Sequence, residues 1–61
     1  MKIHFDEQSD ALYLRLDNSI IIDSGEVKPG IISDYNEQNQ VVGIEILKVK
    51  TRVTLANFKK V

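Results

Sequence analysis

The stretch PGIISDYNEQNQVVGIEIL, residues 29–47, decides the fold. Pro29 and Gly30 suit the central positions of a type II turn, because proline fixes a negative φ and glycine accepts the positive φ that must follow. The polar segment NEQNQ, residues 36–40, then separates two apolar segments. Asn39 is a natural occupant of the left-handed position that short hairpin loops need. Residues 30–47 are therefore predicted to form two antiparallel strands joined by a hairpin loop.

The second of these strands has a strongly specified register. Val42, Ile44 and Ile46 alternate with Gly43 and Glu45. A slip of one residue in strand pairing would move the glutamate to the apolar side of the sheet.

The same alternation of apolar and polar residues runs through the first half of the chain. It appears in KIHF at residues 2–5 and in ALYLRL at residues 11–16, with a turn of Asp, Glu, Gln and Ser side chains between them. IIIDSGEV, residues 20–27, is a third strand in which Gly25 predicts a bulge or a close backbone approach. The prediction is a mainly β fold: a single small antiparallel β-meander of about five strands near residues 2–5, 11–16, 20–27, 30–35 and 41–47.

The C-terminal segment differs from the rest of the chain. Residues 1–47 carry three basic and nine acidic side chains, a net charge of −6, whereas residues 48–61 carry five basic side chains and no acid. Thr54 is a predicted N-cap for a short helix that places Leu55 and Phe58 on one side, where they would contact the sheet or a partner subunit. We expect one β-rich domain over residues 1–61, consisting of a strand meander (1–47) and a basic tail with this helix (48–61), an α+β fold if the helix is counted.

Size and composition suggest self-association. A chain of 61 residues without cysteine has neither a disulfide nor a thiolate metal site, and a core of this size supplies only about 3–5 kcal/mol. We therefore expect a homo-oligomer, with a dimer favoured. The start of the sequence lacks a secretory signal and no apolar run approaches the ~20 residues of a membrane helix, so a cytoplasmic location without a membrane partner is expected.

Candidate catalytic or metal-binding residues are few. Asp6, Glu7 and Asp10 could form a carboxylate site for a divalent cation, but their spacing matches no calcium loop, and hydrogen bonding to backbone amides within the turn is the simpler role. Asp34 and Glu45, on the last two predicted strands, are further candidates for such a site, and their simpler role is to lie on solvated or inter-subunit faces. His4 is the only histidine. We expect no catalytic residue, no metal and no cofactor.

Lys48, Lys50 and Arg52 are the candidate contacts for an anion or a nucleic acid. They alternate along a predicted extended continuation of the last strand, which would place three cations in a row. Lysines on an edge strand also protect against uncontrolled strand pairing, so this row has a second, structural explanation.

Two blocks of sequence, FDEQSDALYLRL at the front and PGIISDYNEQNQVVGIEIL at the back, resemble the small prokaryotic proteins of domain-of-unknown-function family 2283. Asn39 stands where that family tends to have a glycine. The resemblance implies a compact β-rich fold, no catalytic residues, and, because some members are encoded beside a small ribonuclease-like toxin, an antitoxin-like protein partner.

Three functions follow for testing. The first is a non-enzymatic protein–protein interaction module that self-associates, with Leu55 and Phe58 as partner or dimer contacts and a toxin as one partner. The alternatives are nucleic-acid binding through the basic tail and a carboxylate-based divalent-metal site.

Overall fold

The computed structural model describes residues 1–52 and contains five strands and one short helix. The strands are β1 (Lys2–Asp6), β2 (Ala11–Arg15), β3 (Asp23–Lys28), β4 (Ile31–Tyr35) and β5 (Val41–Leu47), and the helix is α1 (Val49–Arg52). All pairings are antiparallel in a single open sheet. The predicted mainly β fold is confirmed, whereas the predicted helix over 54–61, with Leu55 and Phe58, lies outside the described residues.

The strand order in the sheet is β1-β2-β5-β4-β3. Chain neighbours therefore pair in the β1–β2 hairpin and in the β3–β4–β5 meander, and the pairing of β2 with β5 joins these two units. Residues 16–22 connect β2 to the far edge of the sheet. The Leu16 amide donates to the Val42 carbonyl, and the Ile22 amide donates to the Tyr35 carbonyl. The predicted third strand began too early, because residues 20–22 belong to this connection.

The two predicted left-handed turn positions are confirmed. Gly30 has φ 79° and Asn39 has φ 61°. In the β4–β5 hairpin, the buried side chain of Asn36 accepts hydrogen bonds from the amides of Gln38 and Gln40 at 3.0 Å each. An asparagine that bonds the backbone two and four residues ahead fixes the loop from within.

Gly25 does not mark a bulge. It pairs regularly with Ser33, and a Cβ at this position would meet nothing within 4 Å. The irregularity in β3 lies between Glu26 and Lys28, which leaves Val27 without a partner across the ladder. This bulge lies immediately before the turn at Pro29 and Gly30, and an extra residue there bends the strand as it enters the turn.

The predicted extended continuation of β5 was wrong. Lys48 has φ 53°, which ends the strand, and the chain enters α1. Asp10 holds the start of this helix: its carbonyl accepts from the Val49 amide at 3.1 Å, and its carboxylate accepts from the Lys50 amide at 3.1 Å. Arg52 holds the end, donating to the carbonyls of Leu47 and Pro29. Residues 48–52 are thus fastened to two separate turns of the sheet.

Candidate interaction surface

One side of the sheet carries most of the large apolar side chains of the strands, although Ile32 and Leu47 lie on the other side. Because residues paired across antiparallel strands share a side of the sheet, the register defines two rows. One row joins Ile3, Leu14 and Ile44, and the other joins Phe5, Leu12, Ile46 and Ile31. We call these seven residues the apolar face.

Residues 1–52 cover the apolar face only in part. At the β1 edge, Ile3 is 66% exposed and Phe5 is 38% exposed. The other five residues of the face, Leu12, Leu14, Ile31, Ile44 and Ile46, are partly exposed although they lie on the inner strands β2, β4 and β5. Among residues 1–52, the buried apolar side chains are Ala11, Val42 and Val49. A sheet with an apolar face is normally one layer of at least two, and residues 1–52 supply a single sheet.

The opposite side of the sheet carries a hydrogen-bonded polar network, which we call the polar network. The Tyr13 hydroxyl donates to Asp34 at 3.1 Å, and the Ser24 hydroxyl donates to the other oxygen of the same carboxylate at 2.6 Å. The Arg15 guanidinium donates to the Tyr13 hydroxyl at 3.4 Å and to the carbonyls of Asp17 and Ser19 in the β2–β3 connection. The network therefore links β2, β4 and β3 and braces the connection between the two halves of the sheet.

Gly43 makes the polar network geometrically feasible. It lies on β5, between Arg15 on one side and Asp34 on the other. A Cβ at Gly43 would lie 2.6 Å from Asp34 Oδ2 and 2.7 Å from the Tyr13 hydroxyl. The hydrogen bond between these two side chains consequently passes over the one position in β5 that has no side chain.

The prediction that Asp34 lies on a solvated or inter-subunit face was wrong. It is 9% exposed and accepts two side-chain hydrogen bonds. Alternation alone places Asp34 on the polar side, but it does not show that a tyrosine, a serine and a glycine from three other strands enclose the carboxylate. In the sequence, the enclosure of Asp34 could have been inferred only from the presence of Tyr13, Asp34 and Gly43 together in the two blocks that resemble the family.

The prediction that acids of the β1–β2 turn bond its own backbone amides is confirmed for Asp6 and wrong for Asp10. Asp6 accepts from the Gln8 amide at 3.0 Å. A hydrogen bond from the Ser9 side chain, together with that amide, holds the pKa of Asp6 below its ordinary value of 3.8. Asp10 instead bonds amides of α1, forty residues away. No group of three or more metal-ligating side chains comes together within residues 1–52.

The three candidate cations do not form a row. Lys48 and Lys50 are exposed at the end of β5 and in α1. The Arg52 guanidinium is engaged by two backbone carbonyls of its own chain, Leu47 and Pro29. This arrangement gives Arg52 a structural role in holding α1 to the β3–β4 turn.

In the part of the chain that the structure describes, no helix is long and apolar enough to cross a membrane.

Comparison with known proteins identifies the family. The family described as "Protein of unknown function (DUF2283)" matches residues 2–50, most of the chain, and the chain belongs to it. The resemblance inferred from the two sequence blocks is confirmed, and the family description assigns no activity. Neither a curated protein nor a solved structure matches the chain.

Proposed function

We propose that this chain is a non-enzymatic protein–protein interaction module that self-associates by packing its apolar face against the apolar face of a second copy. The observation that carries the proposal is the partial exposure of the two rows of the apolar face, which is greatest at Ile3 and Phe5 on the β1 edge. Two antiparallel sheets that pack face to face lie about 10 Å apart and interleave such rows.

The energetics support burial of this face. Completing the burial of one large aliphatic side chain contributes about 1.5–3 kcal/mol when the side chain starts fully exposed, and correspondingly less when it starts partly covered. Seven partly exposed residues on each of two copies would add several such contributions. A domain of this size has a stability of only about 3–5 kcal/mol on its own, so association would change its folding equilibrium substantially.

Other occupants of the apolar face make different predictions. The segment that follows Arg52 contains Leu55 and Phe58, which could cover the face within one copy. A protein of different sequence, such as the toxin that the family resemblance suggests, would compete with the second copy for the same surface. In the first case the full chain stays monomeric, and in the second the partner dissociates the self-associated form.

Substitution of Leu14 tests the proposal. Leu14 lies in the middle of a row, between Ile3 and Ile44. At low micromolar concentration, sedimentation equilibrium should give the wild-type chain twice its 6.9 kDa mass. The Leu14→Lys variant should give the mass of one chain, because association would bury an ammonium group in an apolar interface without a partner.

Val27→Lys is the matched control. Val27 is also an exposed apolar residue, but it lies at the bulge of β3, outside the two rows. This variant should retain the wild-type mass, and circular dichroism should show that both variants fold. If Leu14→Lys retains the wild-type mass, the apolar face is not the contact.

A further inference from the structure

The two edges of the sheet differ in how they are protected against strand pairing. The β3 edge contains the irregularity at Val27 and the charged residues Asp23, Glu26 and Lys28. Bulges and charges on an edge strand oppose the addition of another strand. The β1 edge pairs regularly with β2 through all five of its residues and contains no proline. All five residues of β1 are exposed. β1 also carries charges, Lys2 and Asp6, but only at its two ends, and it has no bulge, so within residues 1–52 it is the edge that is open to another strand.

The sequence of β1 is self-complementary in one antiparallel register. When KIHFD is paired with a second copy about His4, Lys2 lies opposite the second copy's Asp6, and Ile3 lies opposite its Phe5. The same contacts repeat on the other side of the symmetry axis. Opposite charges and apolar pairs placed directly across a strand pair stabilise it.

The apolar face excludes half of the other registers. If the apolar face is to continue from one sheet to the next, Ile3 and Phe5 must pair with residues on the apolar side of the second copy's β1. This requires a symmetry axis at a residue rather than between residues. An axis at Ile3 places Lys2 opposite His4. An axis at Phe5 places Ile3 opposite Glu7. The axis at His4 uses the whole strand and matches both charge and hydrophobicity.

We propose that β1 forms a second self-association interface, in which two copies pair their β1 strands antiparallel about His4. The inference rests on the proposed function, because the Ile3 and Phe5 contacts extend the apolar face across the junction. Together the two interfaces predict a dimer at low concentration that becomes a tetramer at higher concentration, with the edge pair as the weaker step because it involves one strand per copy.

Single cysteines test the register directly, since the chain has no cysteine of its own. Residues directly opposite in an antiparallel pair have Cα atoms about 4.5–5.5 Å apart, within the ~4.4–6.8 Å that a disulfide spans. Under a mild oxidant, the His4→Cys variant should form a covalent dimer. Lys2→Cys and Asp6→Cys should not do so separately, because identical positions lie about 13 Å apart, but a mixture of the two should form the mixed dimer.

The outcomes separate the registers. Covalent dimers from Ile3→Cys or Phe5→Cys in place of His4→Cys would overturn the axis at His4, and the absence of a covalent dimer at all three positions would overturn edge pairing. Covalent-dimer formation by the His4→Cys variant is measured at concentrations at which the wild-type chain forms tetramers.

Charge reversal provides an independent measurement. Lys2→Glu places two carboxylates together at each end of the strand pair, which should weaken the dimer–tetramer step about tenfold. Lys28→Glu makes the same change of net charge on the β3 edge and should leave this step unchanged. Equal effects of the two variants would contradict the edge assignment.

The two proposals can fail separately. If Leu14→Lys lowers the mass while position 4 gives no covalent dimer, the edge interface is wrong and the apolar contact stands. If position 4 gives the covalent dimer while Leu14→Lys leaves the mass unchanged, the reverse holds.

Discussion

Gly43→Ala is the substitution whose effect the structure specifies most closely. The added methyl group would lie 2.6 Å from Asp34 Oδ2 and 2.7 Å from the Tyr13 hydroxyl. Both separations are too short for a carbon and an oxygen, so the two side chains must move away from the added methyl group, and we expect their 3.1 Å hydrogen bond to be lost. The Ser24 hydrogen bond to the other carboxylate oxygen, at 2.6 Å, can remain.

The size of the effect follows from two opposing contributions. Loss of a hydrogen bond to a charged group costs about 1.5–3 kcal/mol. Replacing glycine by alanine in a strand returns about 0.5–1 kcal/mol, because alanine loses less conformational freedom on folding. The net loss of about 0.5–2.5 kcal/mol corresponds to a melting temperature lowered by roughly 2–20 °C in a domain of this size.

Gly25→Ala is the matched control, and thermal unfolding followed by circular dichroism is the assay. Gly25 is also a strand glycine, but a Cβ there meets nothing within 4 Å. Its substitution should leave stability unchanged or raise it by up to about 1 kcal/mol. Equal melting temperatures for the two alanine variants would show that the close approach at Gly43 does not matter for stability.

A double-mutant cycle with Tyr13→Phe identifies the contact. Removing the hydroxyl relieves one of the two close approaches, so Gly43→Ala should cost less in the Tyr13→Phe background than in the wild-type chain. Additive losses would show that Gly43 is required for some other reason.

Three further substitutions test the contacts that hold α1 and the turns. Asp10→Ala should lower the free energy of unfolding by about 1–2 kcal/mol, because both the carboxylate cap on the Lys50 amide and a residue type that tolerates φ 54° are lost. Asp10→Asn should retain most of the stability in urea unfolding, and equal losses would exclude the cap. Arg52→Lys keeps the charge, but a lysine lacks the planar guanidinium that bonds the Leu47 and Pro29 carbonyls together. We expect the free energy of unfolding to fall by about 1 kcal/mol. An unchanged urea midpoint would contradict these contacts. The backbone amide and the hydroxyl of Ser19 hold the pKa of Asp17 below its ordinary value of 3.8. A depressed folded-state pKa contributes stability above pH 3.8 that is lost as pH falls below it, so Asp17→Asn should reduce the fall in melting temperature at acid pH. Parallel pH profiles for this variant and the wild-type chain would rule out the contribution.

The features that sequence reasoning predicted are local. Pro29-Gly30 and Asn39 predict their turns because each position needs a φ that only certain residues adopt readily. The strand over residues 41–47 was predicted with the observed bounds because its alternation has a single register that keeps Glu45 off the apolar side. Such signals lie within a few residues of the structure they determine.

The features that were missed depend on contacts between distant parts of the chain. Lys48, Lys50 and Arg52 alternate as a strand would, but Asp10 caps a helix there from the other end of the sequence. The enclosure of Asp34 depends on the pairing of β5 with both β2 and β4, and sequence periodicity does not give that strand order. The apolar face was predictable from the alternation of residues, whereas its exposure could be seen only once the strand arrangement was known.

Self-association of the 61-residue wild-type chain is best measured by sedimentation equilibrium from low to high micromolar concentration. We expect twice the 6.9 kDa chain mass at the low end, rising toward four times that mass. A mass of 6.9 kDa that stays constant across the whole range would contradict self-association.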